Sequence, residues 1–208
     1  AGANYHPMRF EHITLDDGLS QSTVLTVLQD SKGLLWIGRD GLNRYDGHDI
    51  RIFQHDPDDP RSLSHNIVRA VYEDHSGTIW VGTMAGLNKL DRDSGQFTRY
   101  QHDPDVPNSL SDNVIWSIFE DSAGILWVGT ENGLNRFDPD SETFVHYRND
   151  PVEPVSLSHN SVRAVFEDRS GNLWVGTGGG LDKLNSDRNR ITSYQHDEND
   201  PQSLSHNV

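Results

Sequence analysis

The dipeptide Leu-Ser opens at Leu19, Leu63, Leu110, Leu157 and Leu204, at intervals of 44, 47, 47 and 47 residues. A fixed period of this size outranks every local pattern, because each copy must fold as the same unit and bury its apolar face on its neighbours. A tryptophan follows the first four Leu-Ser pairs at a constant 17 residues, as Trp36, Trp80, Trp127 and Trp174. Each sits in Leu/Ile-Trp-Val/Ile-Gly and leads to a Gly-Leu pair at Gly41, Gly86, Gly133 or Gly180. The first copy lacks the threonine that the others hold as Thr83, Thr130 and Thr177.

One unit reads as four short strands. Residues 66–73 are rich in β-branched and aromatic side chains, and Asp74-His75-Ser76-Gly77 closes them with turn formers. Residues 78–83, 87–90 and 96–101 follow as three more strands, separated by Met84-Ala85-Gly86 and by a turn ending at Gly95. A polar link with two prolines, residues 102–113, leads into the next unit. Strands this short cannot hold a core alone, but four-stranded sheets stacked face to face can. The fold class is therefore all-β: a β-propeller with four blades of four antiparallel strands. The blades span 19–62, 63–109, 110–156 and 157–203, and 204–208 begin a further one. In the N-terminal segment, 1–18, residues 8–15 align with 96–103 and are expected to form the outermost strand of a closing blade.

Composition narrows the partners. With 17 Lys and Arg against 32 Asp and Glu, the net charge of −15 repels phosphate backbones and anionic lipid, so no nucleic acid is expected as a partner. No apolar run is long enough to cross a bilayer, so this chain does not itself insert in a membrane. The absence of cysteine removes disulfides, thiolate metal sites and cysteine nucleophiles.

The runs Leu35-Trp36-Ile37-Gly38 and Gly41-Leu42-Asn43-Arg44-Tyr45-Asp46-Gly47, with Leu-Trp-Val-Gly-Thr and Gly-Leu-Asn recurring, resemble the two-component regulator propeller family. The resemblance covers nearly all residues from Phe10 onward. It implies a seven-bladed, periplasmic or otherwise extracytoplasmic sensor domain, placed ahead of a transmembrane helix and a histidine kinase or diguanylate cyclase output. The function it implies is non-catalytic ligand sensing in a bacterial signalling receptor. Two other readings stay open: a propeller lyase of streptogramin-lyase type, and a protein-interaction scaffold. The Asp-box of sialidases differs in spacing, since Asp74 stands three residues before Gly77 where that motif needs two.

Few residues offer chemistry. Gly176-Thr177-Gly178-Gly179-Gly180 falls in a strand-to-strand turn with no helix to form a phosphate cradle. Neither His-Glu-x-x-His nor Gly-x-Ser-x-Gly occurs, so no catalytic residue is assigned. His55, His102 and His196, like His65, His159 and His206, recur in register, which points to loop hydrogen bonding. The acidic links Asp56-Pro57-Asp58-Asp59-Pro60, Asp103-Pro104-Asp105 and Asp197-Glu198-Asn199-Asp200 offer calcium-type oxygen donors but lack the glycine and bidentate glutamate of an EF-hand, so no metal or cofactor is assigned.

Function is sought where the repeat varies. The turn between the second and third strands reads Arg39-Asp40, Met84-Ala85, Glu131-Asn132 and Gly178-Gly179 in successive blades. An inner-strand slot holds Leu25, Arg69, Trp116 and Arg163. An aromatic beside two arginines suits a carbohydrate or acidic sugar, through stacking and bidentate hydrogen bonds. Arg69, Trp116, Arg163, Arg39, Glu131 and Asn132 are the candidate binding residues for a small molecule or oligosaccharide, Trp116 alternatively filling an inter-blade gap. Four blades of a wider ring would also leave two open sheet faces, through which the chain is expected to self-associate.

Overall fold

The computed structural model describes residues 11–150, 152, 153 and 156–207. Four separate antiparallel sheets follow the repeat, each with its strands in chain order. Blade 1 holds β1 (Thr26–Gln29), β2 (Leu35–Arg39), β3 (Gly41–Tyr45) and β4 (Ile50–Phe53). Blade 2 holds β5 (Val68–Glu73), β6 (Ile79–Thr83), β7 (Gly86–Leu90) and β8 (Phe97–Tyr100). Blade 3 holds β9 (Ile115–Glu120), β10 (Leu126–Thr130), β11 (Gly133–Asp138) and β12 (Thr143–Tyr147). Blade 4 holds β13 (Val162–Glu167), β14 (Leu173–Thr177), β15 (Gly180–Leu184) and β16 (Ile191–Tyr194). The sheet expected from residues 66–101 is thus present as β5 to β8. Across blades the first strands meet in the order β1, β5, β9, β13, so they form the inner edge of a propeller-like stack.

The outermost strand expected at residues 8–15 has no closing-blade partner among the described residues. Residues 8–10 lie outside the described residues, and 11–14 carry no strand. Leu15–Asp17 instead forms a 3-10 turn, because Thr14 and Asp17 cap each other and Gly18 closes the turn at φ 100°. That local capping chemistry competes with strand pairing, which needs a partner from another blade.

The recurring residues are structural. Trp36 and Trp127 are 1% and 0% exposed, Trp80 is buried and Trp174 half-buried. Each indole Nε1–H donates to the aspartate six residues earlier, Asp30, Asp74, Asp121 or Asp168, at 2.9, 2.7, 2.9 and 2.9 Å. The serine after each linking leucine docks on its own blade. Ser64 and Ser111 donate their amides to Asn88 and Asn135 and meet Thr83 and Thr130 through their hydroxyls, both at 2.8 Å. The histidines His55, His102 and His196 hold the leucine carbonyls of Leu63, Leu110 and Leu204 at 2.6–2.8 Å, the loop role expected of them.

Blade 4 breaks this pattern at one atom. Asn43, Asn88 and Asn135 each donate a side-chain N–H to a strand carbonyl, Ile37, Val81 or Val128, whereas the equivalent residue of blade 4 is Asp182. Its Oδ2 accepts from Ser158, but its buried Oδ1 has no hydrogen-bond partner among the described residues. Asp182→Asn restores the missing donor opposite Val175. It is expected to raise stability by about 1–2 kcal/mol, seen as a higher urea midpoint at unchanged slope.

The tryptophan-bound aspartates also set an acid limit. Burial alone would raise Asp30, Asp74 and Asp121, but hydrogen bonds from indole and turn amides outweigh it, joined by Arg92 at Asp30, the Ser76 hydroxyl at Asp74 and Arg188 at Asp121. All three lie below the ordinary 3.8. A carboxyl depressed in the folded state contributes stability that is complete above its unfolded value and is lost as pH falls through the folded one. Unfolding free energy measured across acid pH should therefore fall once pH drops below about 4.

Candidate functional site

The inner strands of blades 2, 3 and 4 each carry a β-bulge in the same place. In blade 2, Val68 pairs with Thr83 and Ala70 with Gly82, leaving Arg69 as the extra residue. In blade 3, Ile115 pairs with Thr130 and Ser117 with Gly129, leaving Trp116. In blade 4, Val162 pairs with Thr177 and Ala164 with Gly176, leaving Arg163. Blade 1, which lacks the threonine, shows no register shift, and β1 begins one residue after Leu25. A bulge turns an unpaired side chain away from the alternation of its strand. Three in register therefore aim three variable side chains at one another.

They meet. The Arg69 guanidinium lies over the Trp116 ring at 4.1 Å and that of Arg163 at 5.6 Å, one from each neighbouring blade. The Trp116 Nε1–H donates to Glu131 Oε2 at 2.7 Å, and that oxygen also accepts from the Ser161 hydroxyl at 3.1 Å. Trp116 is half-buried whereas Trp127 is fully buried, so its ring belongs to a surface and not to the blade core. Arg69 Nε lies 2.9 Å from Met84 Sδ, a weak acceptor, and among the described residues neither Arg69 nor Arg163 is ion-paired to a carboxylate. Arg92 and Arg188, by contrast, each hold two. In a chain of net charge −15, two unpaired stacked guanidiniums form a local cationic spot.

The structure thus brings together four of the six sequence candidates, Arg69, Trp116, Arg163 and Glu131. Arg39 points elsewhere, its Nε donating to Gln21 Oε1 at 3.3 Å. Asn132 offers its carbonyl to Arg148 and its amide to Thr130, which makes it part of the turn. Sequence reasoning missed Ser161, which becomes a neighbour of Glu131 only across blades, whereas Met84, from the variable turn, meets Arg69 within blade 2. The acidic links are self-contained: Asp56 Oδ1 accepts from the Asp58 amide and Asp59 Oδ1 from that of Arg61. Among the described residues no three His, Asp or Glu side chains converge as metal ligands would.

Comparison with known proteins agrees with this frame. The "Two component regulator propeller" family matches residues 18–38, 62–85, 109–132 and 156–179, one segment per blade. The extracellular domain of the hybrid two-component system BT3049 from B. thetaiotaomicron is 28% identical with a TM-score of 0.80, covering 89% of this chain and 26% of that one. "Histidine kinase P4" of Formosa agariphila is 50% identical over 56 residues, which is 26% of this chain and 4% of the kinase. Virginiamycin B lyase from Staphylococcus aureus, 18% identical with a TM-score of 0.63 over 91% of this chain and 60% of its own, shares the fold. The chain spans a small part of these sensor relatives, yet four matched segments, one in the same place on each of four stacked sheets, establish that it belongs to the two-component regulator propeller family.

Proposed function

We propose that this chain is a non-catalytic, ligand-sensing segment of a bacterial signalling receptor of two-component or diguanylate cyclase type, placed in the periplasm. The observation that carries the reading is the row of three bulges that gathers Arg69, Trp116 and Arg163 beside Glu131. A guanidinium from each neighbouring blade already lies over the indole, so a ligand engages the two cations more than a bare aromatic face. That chemistry suits a small molecule or oligosaccharide bearing a carboxylate, held by bidentate hydrogen bonds. The extracellular setting of the BT3049 relative supports the location. The lyase likeness, at 18% identity, supports only the fold.

A thermal-shift screen of acidic and neutral oligosaccharides, with turnover assayed in parallel, tests the reading. Acidic ligands should stabilise the chain without being consumed, and Trp116→Ala and Arg69→Ala should each abolish the stabilisation. Consumption of a ligand would favour a lyase, and binding of protein alone would favour a scaffold.

The blades are further proposed to be part of a seven-bladed ring. Blade 1 exposes Val24, Leu25, Val27 and Ile52, and blade 4 exposes Phe166 and Tyr194. In isolation these faces are proposed to pair with a second copy of the chain. Light scattering should show a dimer at high concentration, and a clean monomer would count against the pairing.

A further inference from the structure

At the opposite end of the inner strands, an arginine fills two of the three gaps between blades. Between blades 1 and 2, Arg92 donates to Asp30 Oδ2 at 2.7 Å, to Glu73 Oε1 at 2.6 Å and to the Gly77 carbonyl at 2.8 Å, and it lies 5.9 Å from the Trp36 ring. Between blades 3 and 4, Arg188 donates to Asp121 Oδ2 at 3.0 Å, to Glu167 Oε1 at 3.3 Å and to the Gly171 carbonyl at 2.7 Å, and it lies 5.6 Å from the Trp127 ring. The last turn of blade 4 even holds Arg188 in the left-handed region, at φ 58°, as it delivers this guanidinium. Each arginine meets the same four groups: an aspartate and an indole from the preceding blade, a glutamate and a glycine carbonyl from its own.

Between blades 2 and 3 the four groups are all present as Asp74, Trp80, Glu120 and Gly124, but among the described residues no arginine joins them. The turn Asp91-Arg92-Asp93 of blade 2 is replaced in blade 3 by Asp138-Pro139-Asp140. A cavity of about 200 Å³ stands in the gap, lined by Asp74, His75, Trp80, Lys89, Glu120 and Pro139 among others, against about 130 Å³ for the corresponding cavity lined by Trp36 and Arg92. Asp74 is half-buried where Asp30 and Asp121 are buried. Its Oδ2 accepts the Trp80 indole alone, whereas Oδ2 of Asp30 and of Asp121 each accept an indole and a guanidinium. The Glu120 side chain is 9% exposed and is held by His75, through the amide at 2.7 Å and the ring at 2.5 Å. Lys89, the strand partner of Trp80 as Lys183 is of Trp174, lines the cavity from the sheet face 5.7 Å from the Trp80 ring, and among the described residues it is ion-paired to neither Asp74 nor Glu120.

We infer that the gap between blades 2 and 3 is a binding site for a guanidinium group carried by a ligand, such as an arginine side chain of a peptide. The warrant is internal: the same groups, in the same register, already bind a guanidinium twice in this chain. Two carboxylates, a carbonyl and an aromatic face satisfy the flat, forked donor set of a guanidinium and leave an ammonium short of partners. The site lies at the far end of β9 from Trp116 and stands independently of any ligand there.

The test follows the Trp80 indole Nε1–H by two-dimensional NMR while N-acetylarginine amide is added to the full chain. The Trp80 signal should move saturably, while those of Trp36 and Trp127, beside which the carboxylate pairs already hold Arg92 and Arg188, stay in place. N-acetyllysine amide should bind about tenfold more weakly. Pro139→Arg, which recreates the blade 2 turn, should abolish the movement and raise the melting temperature. Glu120→Gln should weaken binding if the Pro139 variant does not fold. Absence of a saturable Trp80 shift, equal movement of all three indoles, or full binding by folded Pro139→Arg would each overturn the assignment.

Discussion

Replacing Trp127 by alanine is expected to lower the unfolding free energy by about 3–5 kcal/mol, the usual cost of emptying a buried tryptophan site. Trp127 is 0% exposed and packs in the apolar layer between blades 3 and 4, with Leu134, Leu157, Val162 and Leu173. Its ring also meets Tyr147 at 5.5 Å and the Arg188 guanidinium at 5.6 Å, so truncation leaves a cavity and removes a face of the arginine's seat. Asp121 loses its indole donor as well. The same change at Trp174, half-buried in the last blade, should cost less than half as much, because less surface is returned to water. Urea denaturation of the two variants side by side checks the difference. Equal losses would mean that the open face of blade 4 is covered in solution.

The second large effect lies two residues further along the strand, at the glycine of the Trp-Val-Gly run. A Cβ built on Gly82 would stand 2.5 Å from Ile115 Cγ2 and 2.9 Å from its Cβ, both in the next blade. Blades 2 and 3 approach so closely there that only glycine fits. Gly82→Ala should therefore destabilise the chain by roughly 1–3 kcal/mol, since a crowded core must open to admit the methyl group. Gly176 holds the equivalent place in blade 4, where an added Cβ meets nothing nearer than Ala164 Cβ at 3.5 Å. Gly176→Ala should be close to neutral, as van der Waals contact at that distance is ordinary. Thermal unfolding of the pair separates them, and a strong effect at Gly176 would show that another blade or a second copy packs on that face.

How much of this was legible beforehand varies with the range of the interaction. The four-stranded units, the strand order within each and the buried role of Trp36, Trp80 and Trp127 follow from the repeat, because each unit supplies its own hairpins and its own aspartate for the indole. The variable slot holding Leu25, Arg69, Trp116 and Arg163 could likewise be picked out by comparing copies. The 3-10 turn at Leu15–Asp17 was not, since it rests on the mutual capping of Thr14 and Asp17, which the strand alignment with residues 96–103 does not register.

The sequence by itself determined a stack of four-stranded blades, an all-β core and the family to which the chain belongs. Only the tertiary structure decided what the blades do to one another. It placed a bulge under Arg69, Trp116 and Arg163, turning a variable slot into a cluster, and left Arg39 and Asn132 outside it. It also paired Arg92 with Asp30 and Arg188 with Asp121, residues 62 and 67 positions apart, and left the corresponding space beside Pro139 unfilled. The physical reason is that strand and turn patterns are written in neighbouring residues. A gap between blades is lined by segments a whole repeat or more apart, and stacking alone brings their side chains together.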